Sequence, residues 1–510
     1  MRGGGGPDDR DQGQGALRRR HPPEGALRHP LRRADSASRD QRTGQLRPLR
    51  RAEGAHLHDG GQPRQQSRQP LLGPAPAESD QGEGDDPLLV VGRREEHASV
   101  QPPLPPGALT VEYGLYIHLP YCRSICPYCD FVKAPLHHAE PERLLAALVR
   151  EWERAQPADG GAWSRPRTIY VGGGTPTALS PAALGRFLAW IRGAWDLSRV
   201  REFTVEANPE GLTPEKLSIL FEGGVGRLSL GVQSLEAAAL RSLGRIHTAE
   251  SALRALALTR RAGFRNVSID LMYGVPGETA EGFRAGLRRL VGLGVPHVSA
   301  YPLQLEEGTP LHAKAERGAV TVPGEEEVFR RYEDLVAILT GAGYRHYEVS
   351  NFALPGYRSR HNEGYWTRRP YLGLGPGAHS FDGRSRWRNE ESIPRYFDRV
   401  ESGELPRVEQ RVLSETEASE EAIFLGLRRA RGLRVSRHLA RFSDAKIAAW
   451  RLWAEEGHAV QASPPGRLRP SDQGLFLAHD LASELFARTD PPGPGGPPQG
   501  AAVSSHTPSA

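Results

Sequence analysis

The sequence predicts an α/β protein: a partial (β/α)6 TIM-like barrel followed by a small, mostly α C-terminal domain. Three observations predict it. Six short apolar runs, at 115–119, 168–171, 202–207, 227–232, 266–271 and 297–301, each end at a Gly, a Pro or a polar residue. Stretches with apolar residues at helical period lie between them, such as 141–152 and 249–262. Alternating β and α units build a parallel sheet, and right-handed crossovers curl such a sheet toward a barrel. Third, the chemically unusual residues stand just after the runs, at the C-terminal strand ends where barrels of this kind carry their chemistry.

After the first run come Cys122, Cys126 and Cys129, the only three cysteines in 510 residues. Spacings of four and three let a compact loop turn all three sulfurs inward, which a helix or strand does not. Three thiolates hold three irons of a cubane cluster and leave the fourth iron open to a small ligand. A disulfide framework is disfavoured by the odd number and by the lack of a secretory signal. Structural zinc is the competing reading, and its fourth ligand would be His118, His137 or His138.

The remaining strand ends supply polar and small groups. Gly172-Gly-Gly-Thr-Pro-Thr follows the second run; glycines there let backbone approach a ligand or simply make a tight turn, and GxGxxG is not matched. Glu206 ends the third run within Glu-Ala-Asn-Pro, Gln233 and Arg245 follow the fourth, Asp270 ends the fifth and Ala300 the sixth. Carboxylates suit ribose hydroxyls or an amino group, and a guanidinium suits a carboxylate, although barrel-rim ion pairs use the same residues.

The ends of the chain differ in composition. Residues 1–110 contain no Phe, Tyr, Trp or Ile and are rich in Arg, Gly, Pro and Gln, so they are expected to be disordered. Either they form an arm for nucleic acid, or translation begins near Leu109 or Val111; the abrupt onset of organised sequence at Val111 favours the second. Residues 487–510, rich in Pro, Gly and Ser, are expected to be disordered too. A net charge of +5 therefore says little about the folded part, and no stable nucleic-acid partner is expected. No run approaches the ~20 apolar residues of a membrane span, and the expected location is the cytoplasm.

The segment from Tyr116 to Phe131, with Gly-Gly-Gly-Thr-Pro-Thr at 172–177, Val-Gln-Ser at 232–234 and Asp-Leu-Met-Tyr-Gly-Val-Pro-Gly-Glu at 270–278, resembles the radical-SAM superfamily. More narrowly it resembles the group of oxygen-independent coproporphyrinogen III oxidases and HemW heme chaperones, over roughly residues 111–486. The resemblance implies a radical-SAM barrel whose three cysteines hold a [4Fe–4S] cluster, with S-adenosylmethionine (SAM) on the open iron. It further implies SAM contacts from Tyr116, Tyr128, Gly173, Gly174, Thr175, Glu206, Gln233, Arg245, Asp270 and Ala300.

Three departures from the oxidases point to the chaperone side of the group. Oxidases carry another cysteine two residues past the third, where this chain has Phe131. They need an ordered N-terminal arm, for which residues 1–110 lack apolar side chains. Finally, His361-Asn-Glu-Gly-Tyr365-Trp366 matches the HNxxYW motif of the chaperones, whose histidine is implicated in heme binding. Imidazole is a competent axial ligand and the aromatics offer faces to a macrocycle, while a hydrogen-bonded structural histidine is the plainer alternative. The implied function is heme transfer to apo-haemoproteins, including membrane-bound respiratory enzymes, so that the protein could work peripherally at a membrane and as a homodimer. The alternative is a porphyrin-biosynthesis enzyme that decarboxylates propionates to vinyls. No catalytic residue is assigned.

Five regions are therefore expected: 1–110, a barrel over 111–345, an HNxxYW extension over 346–405, a C-terminal domain over 406–486 and a tail over 487–510. The fourth should hold helices over 415–432 and 444–457, an extended 467–469, and a last helix capped by Ser471 or Asp472 and running to Phe486. It resembles the winged-helix-like domain of the group. With no clear basic recognition helix, it reads as a lid or partner surface rather than a DNA reader.

Overall fold

A computed structural model of the chain describes residues 112–156, 163, 165–434, 444–460 and 467–487. The expected tails, 1–110 and 487–510, lie outside these residues except for Ala487. The chain opens with β1 (Tyr113–Leu119), the short pair β2 (Tyr121–Cys122) and β3 (Ala134–Pro135), and α1 (Pro141–Ala155). Then β4 (Pro166–Gly173), α2 (Pro181–Ala194), β5 (Glu202–Ala207), α3 (Pro214–Glu222) and β6 (Arg227–Gln233) alternate. Two helices, α4 (Ala237–Ser242) and α5 (Ala249–Arg261), precede β7 (Asn266–Tyr273), and α6 (Ala280–Gly292) precedes β8 (His297–Pro302).

Strands β1-β4-β5-β6-β7-β8 are neighbours in that order and every pair is parallel, as the alternation predicts. The crossover helices start where a hydroxyl can satisfy an otherwise orphan N–H. Ser180 accepts from Ala183, Thr213 from Lys216, Thr248 from Ser251 and Thr279 from Gly282. Along each strand alternate side chains face opposite ways. Leu115, Ile117, Ile169, Val171, Val205, Leu228, Ile269 and Val298 pack outward in one core with Leu148, Leu188, Leu256 and Leu287 of the helices. The other phase, which includes Tyr116, His118, Tyr170, Glu206, Ser229, Asp270 and Ser299, is polar and faces the concave side.

The barrel is partial, because its arc continues into a twelve-stranded mixed sheet. After α7 (Pro310–Glu316) and α8 (Glu325–Gly341), β9 (Arg345–Glu348) and β10 (Asn351–Ala353) extend the β8 edge antiparallel. Helix α9 (Arg360–Trp366) carries the HNxxYW sequence. Beyond it β11 (Tyr371–Leu374) pairs parallel with β1, and β12 (His379–Phe381) and β13 (Ser385–Asn389) continue the sheet antiparallel. Helix α10 (Ile393–Glu401) leads to β14 (Arg407–Val412), which pairs with β13, so the large sheet runs past Pro406.

The C-terminal part holds α11 (Glu415–Leu427), β15 (Leu433–Arg434), α12 (Asp444–Glu455), β16 (Ala459–Val460), β17 (Arg467–Pro470), α13 (Asp472–Phe476) and α14 (Ala478–Ala487). Its own core joins Ile423, Leu427, Trp453, Leu468 and Leu485. Two sequence expectations are corrected. Helix α11 stops at Leu427 rather than at 432, and the last helix, capped by Ser471, breaks at Leu477. The extended connection is the middle strand of a three-stranded antiparallel sheet. Among the described residues no helix is long and apolar enough to cross a membrane.

Candidate cluster and cofactor site

The cysteine loop is fastened at both ends. Tyr121 pairs with Ala134 and Cys122 with Pro135, and Ala134 N donates to Pro120 O at 2.8 Å. Its base lies on the glycine run: Gly174 N donates to Leu119 O at 2.8 Å and Thr175 N to Tyr121 O at 2.9 Å. A Cβ on Gly174 would come 2.6 Å from the Pro120 carbonyl carbon, and one on Gly173 (φ +103) would strike the His118 ring at 2.4 Å. The glycines thus let the loop settle on the sheet, and their N–H groups are spent on protein acceptors. Gly173 N donates to Glu206 at 3.1 Å.

His118 is not a spare metal ligand. Its Nε2 donates to Val132 O at 2.7 Å and its Nδ1 faces the Tyr116 hydroxyl at 3.0 Å. Burial pushes its pKa down to about 4, so the ring is neutral. His137 and His138 meet edge to face, 4.3 Å apart. Among the described residues no three His, Cys, Asp or Glu side chains converge on a point as one zinc ion requires. A cubane takes its sulfurs at separate corners, further apart than the ligands of a single ion.

Two of the three sulfurs receive hydrogen bonds from one connected network. Thr175 Oγ1 donates to Cys122 Sγ at 3.7 Å, and Arg245 Nη1 to Cys126 Sγ at 3.4 Å. Arg245 Nη2 also donates to Asn208 Oδ1 and to Gly231 O, both at 2.6 Å, and Asn208 Nδ2 donates to Thr175 Oγ1 at 3.0 Å. The chain Cys126–Arg245–Asn208–Thr175–Cys122 spans the mouth. Burial pushes the Cys122 thiol up to about 11 and raises that of Cys129, opposed there by Lys133. A cationic iron core offsets that penalty, since binding it releases the protons. Three thiols on one loop, with donors already aimed at sulfur, fit a [4Fe–4S] cluster. Such a cluster, with SAM on its open iron, would supply one electron for reduction of the sulfonium.

Gln233 sits at φ +64, a left-handed conformation uncommon outside glycine, after an irregularity in the β6–β7 register. A Cβ at Gly231 would lie 2.7 Å from Asn208 Oδ1, 3.0 Å from Gln233 Nε2 and 3.3 Å from Arg245 Nη2. Three polar side chains therefore gather over Gly231 because it has none. Asn208 and Gly231 escaped the sequence assignment. Asn208 stands within the Glu-Ala-Asn-Pro block, but nothing local shows that it reaches a residue far along the chain.

Deeper in the barrel, Glu206 accepts from Tyr170 OH at 2.8 Å, and Asp270 from the Ser229 and Ser268 hydroxyls at 2.9 and 3.1 Å. Burial raises both carboxyl pKa values, that of Glu206 to about 7, and the buried Arg227 opposes the rise in each. A Cβ on Gly172 would sit 2.7 Å from the Glu206 carboxyl carbon, which explains the first glycine of the run. Tyr128 packs with Met272 and Leu303 against Ala239, Leu243 and Val275 beside the loop. The methyl of Ala300 lies in the outer core and its N–H bonds to Ser350 O at 2.8 Å, so neither of these two groups faces the mouth.

His361 occupies the other end of the barrel, beside Gly114, Thr168 and Glu202 at the starts of β1, β4 and β5. Only 2% exposed, it stacks on Tyr170. Its Nδ1 bonds the Thr168 hydroxyl at 2.8 Å and its Nε2 the Tyr365 hydroxyl at 2.9 Å; burial pushes its pKa down to about 3. Glu202, not anticipated from sequence, caps α9 by accepting from Ser359 Oγ, Arg360 N and His361 N at 3.2, 2.7 and 3.1 Å. Trp366 is also buried, and Tyr365 packs on Tyr371. In this conformation His361 presents neither nitrogen to a ligand; iron ligation requires Tyr365 or Thr168 to let go.

A parallel partial barrel bearing a three-cysteine loop and a polar, glycine-floored mouth defines a radical-SAM protein. The family model described as the radical SAM superfamily matches residues 116–290. Coproporphyrinogen III oxidase (HemN) from Escherichia coli superposes with a TM-score of 0.63 at 21% identity, over 74% of this chain and 90% of that one, a likeness of fold. A Lactococcus lactis protein named heme chaperone HemW is 37% identical over 376 residues, 73% of this chain and 96% of its own. Its Bacillus subtilis namesake is 36% identical over 377 residues, 73% of this chain and 97% of its own length. The chain belongs to the HemW family of radical-SAM proteins.

Proposed function

We propose that this protein is a heme chaperone, which binds heme on a radical-SAM scaffold and passes it to apo-haemoproteins. The observation that carries the reading is the near full-length match to proteins named for that role. Phe131 supports it: 41% exposed on the cysteine loop, it stands where the oxidases of the resemblance have a further cysteine. In this reading the cluster and SAM are resident cofactors at the mouth. Tyr116, Tyr128, Gly173, Gly174, Thr175, Glu206, Gln233, Arg245 and Asp270 form the SAM side. The acceptors are haemoproteins, among them membrane-bound respiratory enzymes reached from the cytoplasm, and His361 becomes a heme ligand once α9 is released.

The test separates carrier from enzyme. Anaerobically reconstituted protein loaded with heme is mixed with an apo-haemoprotein, and transfer is followed by absorbance. The same protein is given SAM, a reductant and coproporphyrinogen III. Heme transfer without porphyrinogen turnover is the expected result; multiple-turnover formation of protoporphyrinogen IX would overturn the chaperone reading.

A further inference from the structure

Strand β14 is an open edge. It ends the twelve-stranded sheet and, among the described residues, pairs only with β13. Successive side chains of a strand point to opposite faces, and every residue from Val408 to Val412 is exposed, with Val408 at 38% and Val412 at 54%. The strand is therefore bare on both faces as well as along one edge. Such an edge leaves a row of backbone donors and acceptors without partners.

The free row follows from the pairing with β13. Leu413 N donates to Arg384 O at 3.0 Å, and Val412 then lies opposite Ser385, Arg411 opposite Arg386, Gln410 opposite Trp387 and Glu409 opposite Arg388. Backbone groups of an antiparallel strand point to one neighbour and then the other by turns. Leu413, Arg411 and Glu409 thus turn theirs to β13, while Val412 and Gln410 turn theirs to the open edge. Beyond Glu409 the register shifts, next to Val408.

The same stretch is complementary to itself. Val408-Glu-Gln-Arg-Val412 reads apolar, acidic, neutral, basic, apolar. Turned about a two-fold axis at Gln410, it sets Gln410 against Gln410 of the copy, Glu409 against Arg411, and Val412 against Val408. This register joins the free groups: the two Gln410 residues exchange both backbone bonds, and Glu409 and Arg411 fall in the closer, non-bonded pair. Charges that guard an edge repel a copy when like meets like, but here each meets its opposite. Arg411 gains most, since within the sheet it lies opposite Arg386. Glu409 holds Arg388 at 2.6 Å and Arg411 reaches Glu417 at 3.0 Å, yet their side chains stay 71% and 62% exposed, so each has room for a second partner.

We infer that β14 is a self-association edge, which pairs antiparallel with β14 of a second copy of this chain and continues the sheet across a two-fold axis at Gln410. The inference does not depend on the heme-carrier reading. A single short ladder is smaller than the roughly 1,200 Å² at which stable interfaces begin, so the dimer dissociates on dilution.

Sedimentation of the full-length, cluster-loaded protein over a range of concentrations should show a monomer–dimer equilibrium. Gln410→Pro removes an outward N–H while sparing the bonds to β13, and should weaken the dimer about tenfold. Glu409→Arg and Arg411→Glu each set like charges face to face and should weaken it by a similar factor, about tenfold. Mixed in equal amounts, those two variants should dimerise with each other, because unlike charges then meet again, a recovery that mere damage to the strand does not give. Unchanged iron–sulfur absorbance verifies that each variant is folded. An unaltered protein that stays monomeric, a dimer that none of the three substitutions weakens, or charge variants that do not recover the dimer when mixed overturns the inference. So does a monomer whose Gln410 amide exchanges slowly with solvent, which assigns the edge to another segment of the same chain.

Discussion

The guanidinium of Arg245 lies 3.4 Å from the sulfur of Cys126, although 119 positions separate them in the chain. The same group holds Asn208 and the Gly231 carbonyl, so one side chain from the connection between α4 and α5 registers the cysteine loop against two barrel strands.

Arg245→Gln should therefore weaken the cluster more than the fold. Each lost hydrogen bond to a charged sulfur is worth about 1.5–3 kcal/mol. The expected outcome is reduced iron and sulfide content after reconstitution with little change in the thermal midpoint. Arg245→Lys should not rescue it, because an ammonium does not reproduce the guanidinium fork.

Gly174→Ala tests the seat of the loop. The added methyl meets the Pro120 backbone at 2.6 Å, and backbone does not yield as a flexible side chain does. Overpacking of this kind costs about 1–3 kcal/mol. Cluster content should fall, and the cysteines should react faster with a thiol reagent.

For His361 the two ring nitrogens give opposing variants. Tyr365→Phe removes the hydroxyl on Nε2 and should tighten heme binding. His361→Ala should weaken binding and change the heme spectrum, with the iron–sulfur absorbance intact. If heme affinity and spectrum are unchanged in both, the histidine is structural only.

Glu151 gives a pH signature. It is buried and accepts from Gly375 N at 2.9 Å, Asn389 Nδ2 at 2.6 Å and Tyr396 OH at 2.6 Å, yet burial raises its pKa from 4.5 to about 7. A carboxyl raised by folding contributes stability that is fully present below its unfolded value and lost as pH rises through its folded value. Denaturant titrations should thus show Glu151→Gln costing more stability at pH 5 than at pH 8. The difference is at most on the order of 2–3 kcal/mol.

Much of this was readable locally. Six short apolar runs mark the barrel strands, because strands buried against helices read as apolar stretches, and Glu206 and Asp270 stand at the ends of two of them. The two-residue alternation of the folded β8 turns the Ala300 methyl outward, since Ser299 and Tyr301 hold the inner phase. The short β15–β17 sheet was not readable: strands of two to four residues are too short to carry a period.

Sequence alone determined the alternating fold, the three sulfurs and the strand ends at which their neighbours stand, since spacing and burial period are properties of adjacent residues. Only the tertiary structure decided which residues meet. Asn208 joins Arg245, Glu202 caps a helix 159 positions away, and His361 is enclosed at the far end of the barrel. Those contacts arise from how strands lie side by side, and chain order does not encode that distance.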